Sequence, residues 1–269
     1  MQKIAKIAEL ESILEHYARK GAHTNNYLLM DSYINLIKEQ KVQYVQGKDN
    51  LVMLIDTNIC YQVYYYINNI SEAIPIQSSK PLMMEIVYRG IQQRPKNILD
   101  YWNYFGFQTH LTRDNLSLRY KDMLHNDPNS NHNIQIKVAT SDTEAEYATD
   151  LFRRDLDKYT GDQKNYEEIL AYVFNGNVLC AYDSGSLCGV LQFEEKNNNI
   201  WLGHIAIDEN YRGKGIANQL VSMYIEINKK SDETRYQLWV RQDNEPANRL
   251  YKRFGFMYAG KSTVSMIKF

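Results

Sequence analysis

The chain has 269 residues, 44% of them hydrophobic and 23% charged, with a formal net charge of -1 at pH 7. That length suits two small α/β domains, and the near-zero charge gives no field for sequence-independent binding of nucleic acid. No apolar run is long enough to span a membrane, and the charged start, MQKIAKIAELESILEHYARK, reads as an amphipathic helix and not a leader, so a cytoplasmic protein is expected.

In chain order, the first half predicts helices over 2–20 and 25–40. Strands follow near 42–46, 51–56, 60–68 and 82–89, with a helix near 96–105. Twenty-two tyrosines are many, and the run Tyr61–Tyr66 suits a half-buried strand. It has no basic residues interleaved, as a base-stacking surface would need. The three cysteines, Cys60, Cys180 and Cys188, have neither CxxC spacing nor a nearby histidine. They read as buried apolar side chains, and no metal site is expected. The polar stretch His125–Asn133 has a linker's composition and predicts domains at 1–131 and 132–269.

The second half opens with a strand over 134–139. Ser141 and Glu144 have the spacing of a capping box, and a further helix covers about 162–174. Strands at 177–182, 187–195 and 201–207 lead to a turn holding Arg212, Gly213, Lys214 and Gly215. A helix starts at Ile216, with Leu220 and Tyr224 on its apolar stripe. Strand, glycine-rich turn and helix together present backbone N–H groups to an anion, and the helix dipole strengthens the attraction. Arg212 and Lys214 add positive charge. Residues 237–241 form another strand, and Asn244 sits as an N-cap with Pro246 just inside the next helix. Ala247, Leu250, Tyr251 and Phe254 line that helix, Gly255 ends it and Phe256 opens a strand.

These two stretches resemble the GNAT superfamily of acetyl-CoA-dependent N-acetyltransferases. The family's Q/R-x-x-G-x-G/A loop is matched by Arg212, Gly213, Lys214, Gly215, Ile216 and Ala217. Its later signature is matched by Asn244, Ala247, Leu250, Tyr251, Gly255 and Phe256. The resemblance covers about the last half of the chain. It implies an α/β (α+β) fold with a mixed, mostly antiparallel twisted sheet flanked by helices, and acetyl-CoA as cosubstrate.

The first half shows a weaker echo. Leu51 with Leu179 and Cys60 with Cys188 fall at one constant offset, and Ile98, Tyr101, Trp102, Phe105, Gly106 and Phe107 repeat the spacing of Ala247 to Phe256. Where the second half has its glycine loop and helix, the first has NNISEAIPIQSSKP, without glycine. Two readings stand: a degenerate GNAT-like domain in tandem with an intact one, which we favour, or unrelated α/β segments.

The resemblance implies roles for particular residues. The backbone of Ile205, Ala206 and Ile207 polarises the thioester carbonyl, and the 212–217 loop holds the pyrophosphate. Asn244 meets the pantetheine amides or only caps its helix. Tyr251 returns a proton to the leaving thiolate, or only packs. The family's base positions fall on Trp201, Gly203 and Trp239, none of which accepts a proton. His204 and Glu194, with Glu195 beside it, remain candidates, or the amine arrives neutral. The expected acceptor is a small-molecule or peptide amine, with no nucleic acid or membrane partner, and the protein a monomer or homodimer. The alternative is a catalytically silent acyl-CoA-binding or scaffold protein.

Overall fold

The computed structural model describes residues 1–124, 133–160 and 162–269. The chain forms two compact units, Met1–Thr112 with Ser262–Phe269, and Arg113–Lys261. The first contains β1 (Gln2–Lys3), α1 (Ile7–Tyr17), β2 (His23–Thr24), α2 (Met30–Lys38), β3 (Val42–Gln46), β4 (Asn50–Asp56), β5 (Tyr61–Ile67), β6 (Leu82–Arg89) and α3 (Lys96–Tyr104). Strand β7 (Gln108–Arg119) begins in the first unit and ends in the second. The second continues with β8 (Ile134–Val138), α4 (Asp142–Asp155), α5 (Tyr166–Phe174), β9 (Val178–Asp183), β10 (Ser186–Lys196), β11 (Asn199–Ile207), α6 (Ile216–Ile227), β12 (Arg235–Arg241) and α7 (Glu245–Phe254). Strand β13 (Met257–Lys268) returns to the first unit. No described helix is long and apolar enough to cross a membrane.

In the first unit β3, β4 and β5 pair antiparallel in turn, and β1 pairs with β3. Every residue of β4 but the last is buried, because both faces are covered. Leu51, Met53 and Ile55 meet Leu10, Tyr33 and Ile37 of the first two helices, while Val52 and Leu54 join Tyr65, Trp102 and Phe107. Strand β6 lies parallel to β5 only at Tyr61↔Leu82 and Gln62↔Met83. Beyond that point Asn25 fills the gap. Its Nδ2 donates to the carbonyls of Val63 (2.9 Å) and Glu85 (3.2 Å), and its Oδ1 accepts from the Tyr65 N–H (2.9 Å). Strand β2 then pairs with Tyr66 and Ile67. The edge of β5 is thus closed from within. Asn25→Ala leaves an N–H and two carbonyls without this partner in a buried place, and a loss of about 3 kcal/mol is expected. Urea unfolding of the whole chain measures it; a loss below about 1 kcal/mol would mean the edge does not depend on Asn25.

The second unit repeats this order and adds a helix. Strands β8, β9, β10 and β11 pair antiparallel in sequence, and β11 pairs parallel with β12. The capping box at Ser141 and Glu144 is formed. The segment between the two parallel strands carries α6 here, whereas the segment between β5 and β6 is irregular and buries Ile74 and Ile76 in the core. Both units end their last helix on a left-handed glycine, Gly106 (φ 85°) and Gly255 (φ 93°).

The two units do not divide at residue 131. The second half of β7 pairs antiparallel with β12 from Arg235↔Arg119 to Arg241↔Arg113, and the N–H of Leu124 donates to Phe254 (3.1 Å). At the other end, Val264 and Met266 join the core of the first unit. The composition of 125–133 marks a polar stretch, but strand pairing decides which unit a segment stabilises. Apart from Asn133, that stretch lies outside the described residues.

Candidate active site

Strands β11 and β12 stay together for three pairs only: Ile200↔Tyr236, Trp201↔Gln237 and Leu202↔Leu238. They then part. Strand β12 remains pinned to β7, and β11 to β10, through Leu191↔Ile205, Val190↔Ala206 and Gly189↔Ile207. Residues 203–207 therefore have one edge with no strand on it among the described residues. This is the edge that Asn25 and β2 close in the first unit. The open edge needs a partner for its polar backbone, and an extended ligand with amide groups supplies one. Ile205, Ala206 and Ile207 lie on this edge.

At the end of β11 the chain turns through Gly213 and Gly215, both left-handed at φ 80°. A residue with a Cβ adopts that backbone only at a cost, which is why glycine stands at both. Gly215 is the N-cap of α6 and has no side chain to satisfy the first-turn N–H groups; no acidic residue lies in that turn either. The first N–H groups of the helix thus have no side-chain cap, the arrangement that suits an anion. Arg212 and Lys214 are less free than their sequence suggests. Arg212 donates to the Ile207 carbonyl (3.1 Å) and to Asp155 (2.9 Å), and Lys214 reaches Asp183 (3.1 Å) and lies over the Tyr211 ring. Their side chains pin the loop in this structure.

Helix α7 brings the second signature to β12. The Asn244 side chain accepts from the Ala247 N–H (3.1 Å), so its oxygen is used as a cap. Asn248, which sequence reading passed over, donates to the carbonyls of Arg241 and Asn244, both at 2.9 Å, and ties the helix to the strand end. Tyr251 is buried, with its ring edge-on to Phe256, and its hydroxyl makes no hydrogen bond among the described residues. Burial pushes that hydroxyl well above its ordinary pKa, so it keeps its proton at neutral pH. In the first unit the matching position is Trp102, fully buried.

The candidate bases are placed less favourably. The Glu194 carboxylate accepts from the Tyr172 hydroxyl of α5 (3.3 Å), and Glu195 is held by Lys230 (2.6 Å). His204 packs its ring against Phe152 of α4. Burial lowers its pKa to about 4; Asp162 opposes the shift, and Lys164 and Arg113 add to it. Arg113 is itself paired with Asp162 and donates to Thr160 (3.0 Å). His204 is therefore neutral at pH 7. From pH 6.5 down to about 4 the unfolded chain takes up a proton there that the folded chain refuses, so stability falls as pH falls through that window. The loss comes to about 2–3 kcal/mol, at about 1.4 kcal/mol for each pH unit. His204→Gln should flatten that part of the stability–pH curve by this amount. An unchanged slope would show an ordinary histidine.

Among the described residues no three His, Cys, Asp or Glu side chains gather as a metal site. All three cysteines are buried, and no disulfide joins them.

Residues 141–256 match the acetyltransferase (GNAT) family. The spermine/spermidine N(1)-acetyltransferase of Bacillus subtilis is 32% identical over 89 residues, 30% of this chain and 59% of that protein. A putative [ribosomal protein bS18]-alanine N-acetyltransferase of the same organism is 32% identical over 95 residues, 35% of this chain and 62% of that protein. The chain thus spans about three-fifths of the length of these curated relatives. In fold, it is similar over 99% of its length to 97% of a tandem GNAT protein from the clavulanic acid biosynthesis pathway, with a TM-score of 0.56 and 11% identity. Residues 141–256 thus carry a domain that matches the GNAT family of acetyltransferases.

Proposed function

We propose that the second unit transfers an acetyl group from acetyl-CoA to a primary amine. One observation carries this reading: the open edge of β11 at Ile205–Ile207 is followed, after the short turn Glu209–Tyr211, by the uncapped, double-glycine start of α6. A pantetheine arm suits the first and a pyrophosphate the second. Thr112 and Arg113 mark where the two compact units divide, and we assign the transferase site wholly to the second, leaving the first, whose β5 edge is closed, without a CoA site.

In the reaction the amine nitrogen forms a bond to the thioester carbon and the carbon–sulfur bond breaks. The nitrogen loses one proton and the thiolate gains one. N–H groups of the open edge stabilise the oxygen as charge builds on it. Tyr251, protonated and without a partner for its hydroxyl, is the donor to sulfur. Neither Glu194 nor His204 is assigned as base. Each is engaged on the side of α4 and α5, and an amine that arrives neutral needs none.

The relatives are named for spermine/spermidine and for an alanine of ribosomal protein bS18, so the first panel consists of spermidine and an alanine-first peptide. The test is thiol release from acetyl-CoA by the full chain, with mass detection of the acetylated amine. Tight acetyl-CoA binding with no acetylated product across a broad amine panel would replace this reading with that of a silent acyl-CoA-binding protein.

A further inference from the structure

Gln192 is a polar residue inside an apolar strand, Leu187–Phe193, and only 1% exposed. Its Nε2 donates to the Phe193 carbonyl (3.1 Å). That bond fixes which way the carboxamide points, since a flip would set two oxygens against each other. The other end, Oε1, is buried with no donor. A buried acceptor left unpaired is a feature to be explained, because buried oxygens are almost always satisfied.

Its surroundings supply the explanation. Gln192 pairs with His204 and Phe193 with Leu202, so Gly203 is an extra residue on β11. Gly203 is exposed, and it is the first residue past the last β11–β12 pair. A Cβ placed there would lie 2.0 Å from Oε1 of Gln192. A side chain at 203 would push the Gln192 carboxamide aside, and with glycine there that space holds the unpaired oxygen. An acceptor without a donor therefore sits at the start of the open edge, two residues before Ile205. The ionisable groups around this point are His204, with Asp162, Lys164 and Arg113 near its ring, and Glu194 further along β10.

We propose that Gln192 positions the acceptor amine: its side-chain oxygen accepts one N–H of the incoming primary amine, directly or through one water, and so aims the nitrogen lone pair at the thioester. This rests on the reading of the second unit as an amine acetyltransferase. A carboxamide oxygen holds an N–H but does not take its proton near neutral pH. The rate should then rise with pH along the titration of the amine itself, with no enzyme base in the profile. The bare Gly203 lets an unhindered amine come up to the strand, and a branched amine fits less well.

The test uses the full chain with saturating acetyl-CoA and one good amine. Gln192→Met keeps the length and removes the acceptor; Gln192→Glu keeps an acceptor and adds a group that takes a proton. For Gln192→Met, kcat/KM for the amine should fall on the order of 10–100-fold with the acetyl-CoA Kd unchanged. For Gln192→Glu, the pH profile should extend about one unit or more to the acid side, because the carboxylate now removes the amine's proton. If Gln192→Met keeps kcat/KM within threefold at every pH, Gln192 is only filler for the bulge. If that variant fails to fold, a Gln192→Glu profile that overlays the wild type overturns the proposal equally. Wild-type protein that binds acetyl-CoA and acetylates no amine would instead overturn the functional reading, and this proposal with it.

Discussion

Gly215→Glu should abolish acetyl-CoA binding by the intact chain. Two separate effects act at that residue. The backbone is left-handed at φ 80°, so any Cβ introduces strain of about 1–2 kcal/mol, which the loop relieves by moving. The new carboxylate then sits at the start of α6, where nothing else caps the N–H groups, and takes the place of the pyrophosphate. Together they should weaken binding at least 100-fold, about 3 kcal/mol or more. Gly215→Ala carries the strain without the charge and should fall between the two. Calorimetry measures both, with thermal unfolding of the same samples to check the fold. A Glu variant whose Kd stays within threefold of wild type would remove the loop from the binding site.

Tyr251→Phe should lower turnover on the order of 10–1000-fold and leave the Kd of acetyl-CoA nearly unchanged. The hydroxyl makes no hydrogen bond within the described residues, so deleting it breaks no stabilising contact. Stability should therefore stay within about 0.5 kcal/mol, which separates a chemical role from a packing one. Because burial holds the hydroxyl pKa high, the wild-type rate should show no alkaline loss from this group up to pH 10. A Phe variant with unchanged kcat on a good amine would assign Tyr251 to the core and leave the thiolate to be protonated by water.

The parts of the site that depend on local chain chemistry were legible in the sequence. Glycines at 213 and 215, the Asn244 cap, the Ser141–Glu144 box and the stop at Gly255 all act within a few residues of themselves. Each appears in the structure where its spacing places it. The strands of the first unit likewise follow their apolar pattern closely, because β4 is covered on both faces and β5 on alternate ones.

Strand partnership was not legible, since it is settled between residues far apart. Strand β7 escaped prediction because its alternation is half polar, and its second half is stabilised by β12, more than a hundred residues later. The same reason moved the unit boundary from a polar linker to a point inside β7. Gln192 signalled itself only as one polar residue in an apolar run. Its unpaired oxygen emerges once β10 and β11 fall out of step at Gly203.

The amino-acid sequence by itself determined the glycine turn at 213 and 215, the tyrosine-bearing helix after it and the spacing in the first half that repeats that helix without a glycine turn, because each is written in contiguous residues. Only the tertiary structure decided that β11 has an open edge and β5 a closed one. Both edges belong to similar strands, and the difference is made by Asn25 and β2, which fold back onto β5, and by β12, which turns away from β11 after three pairs.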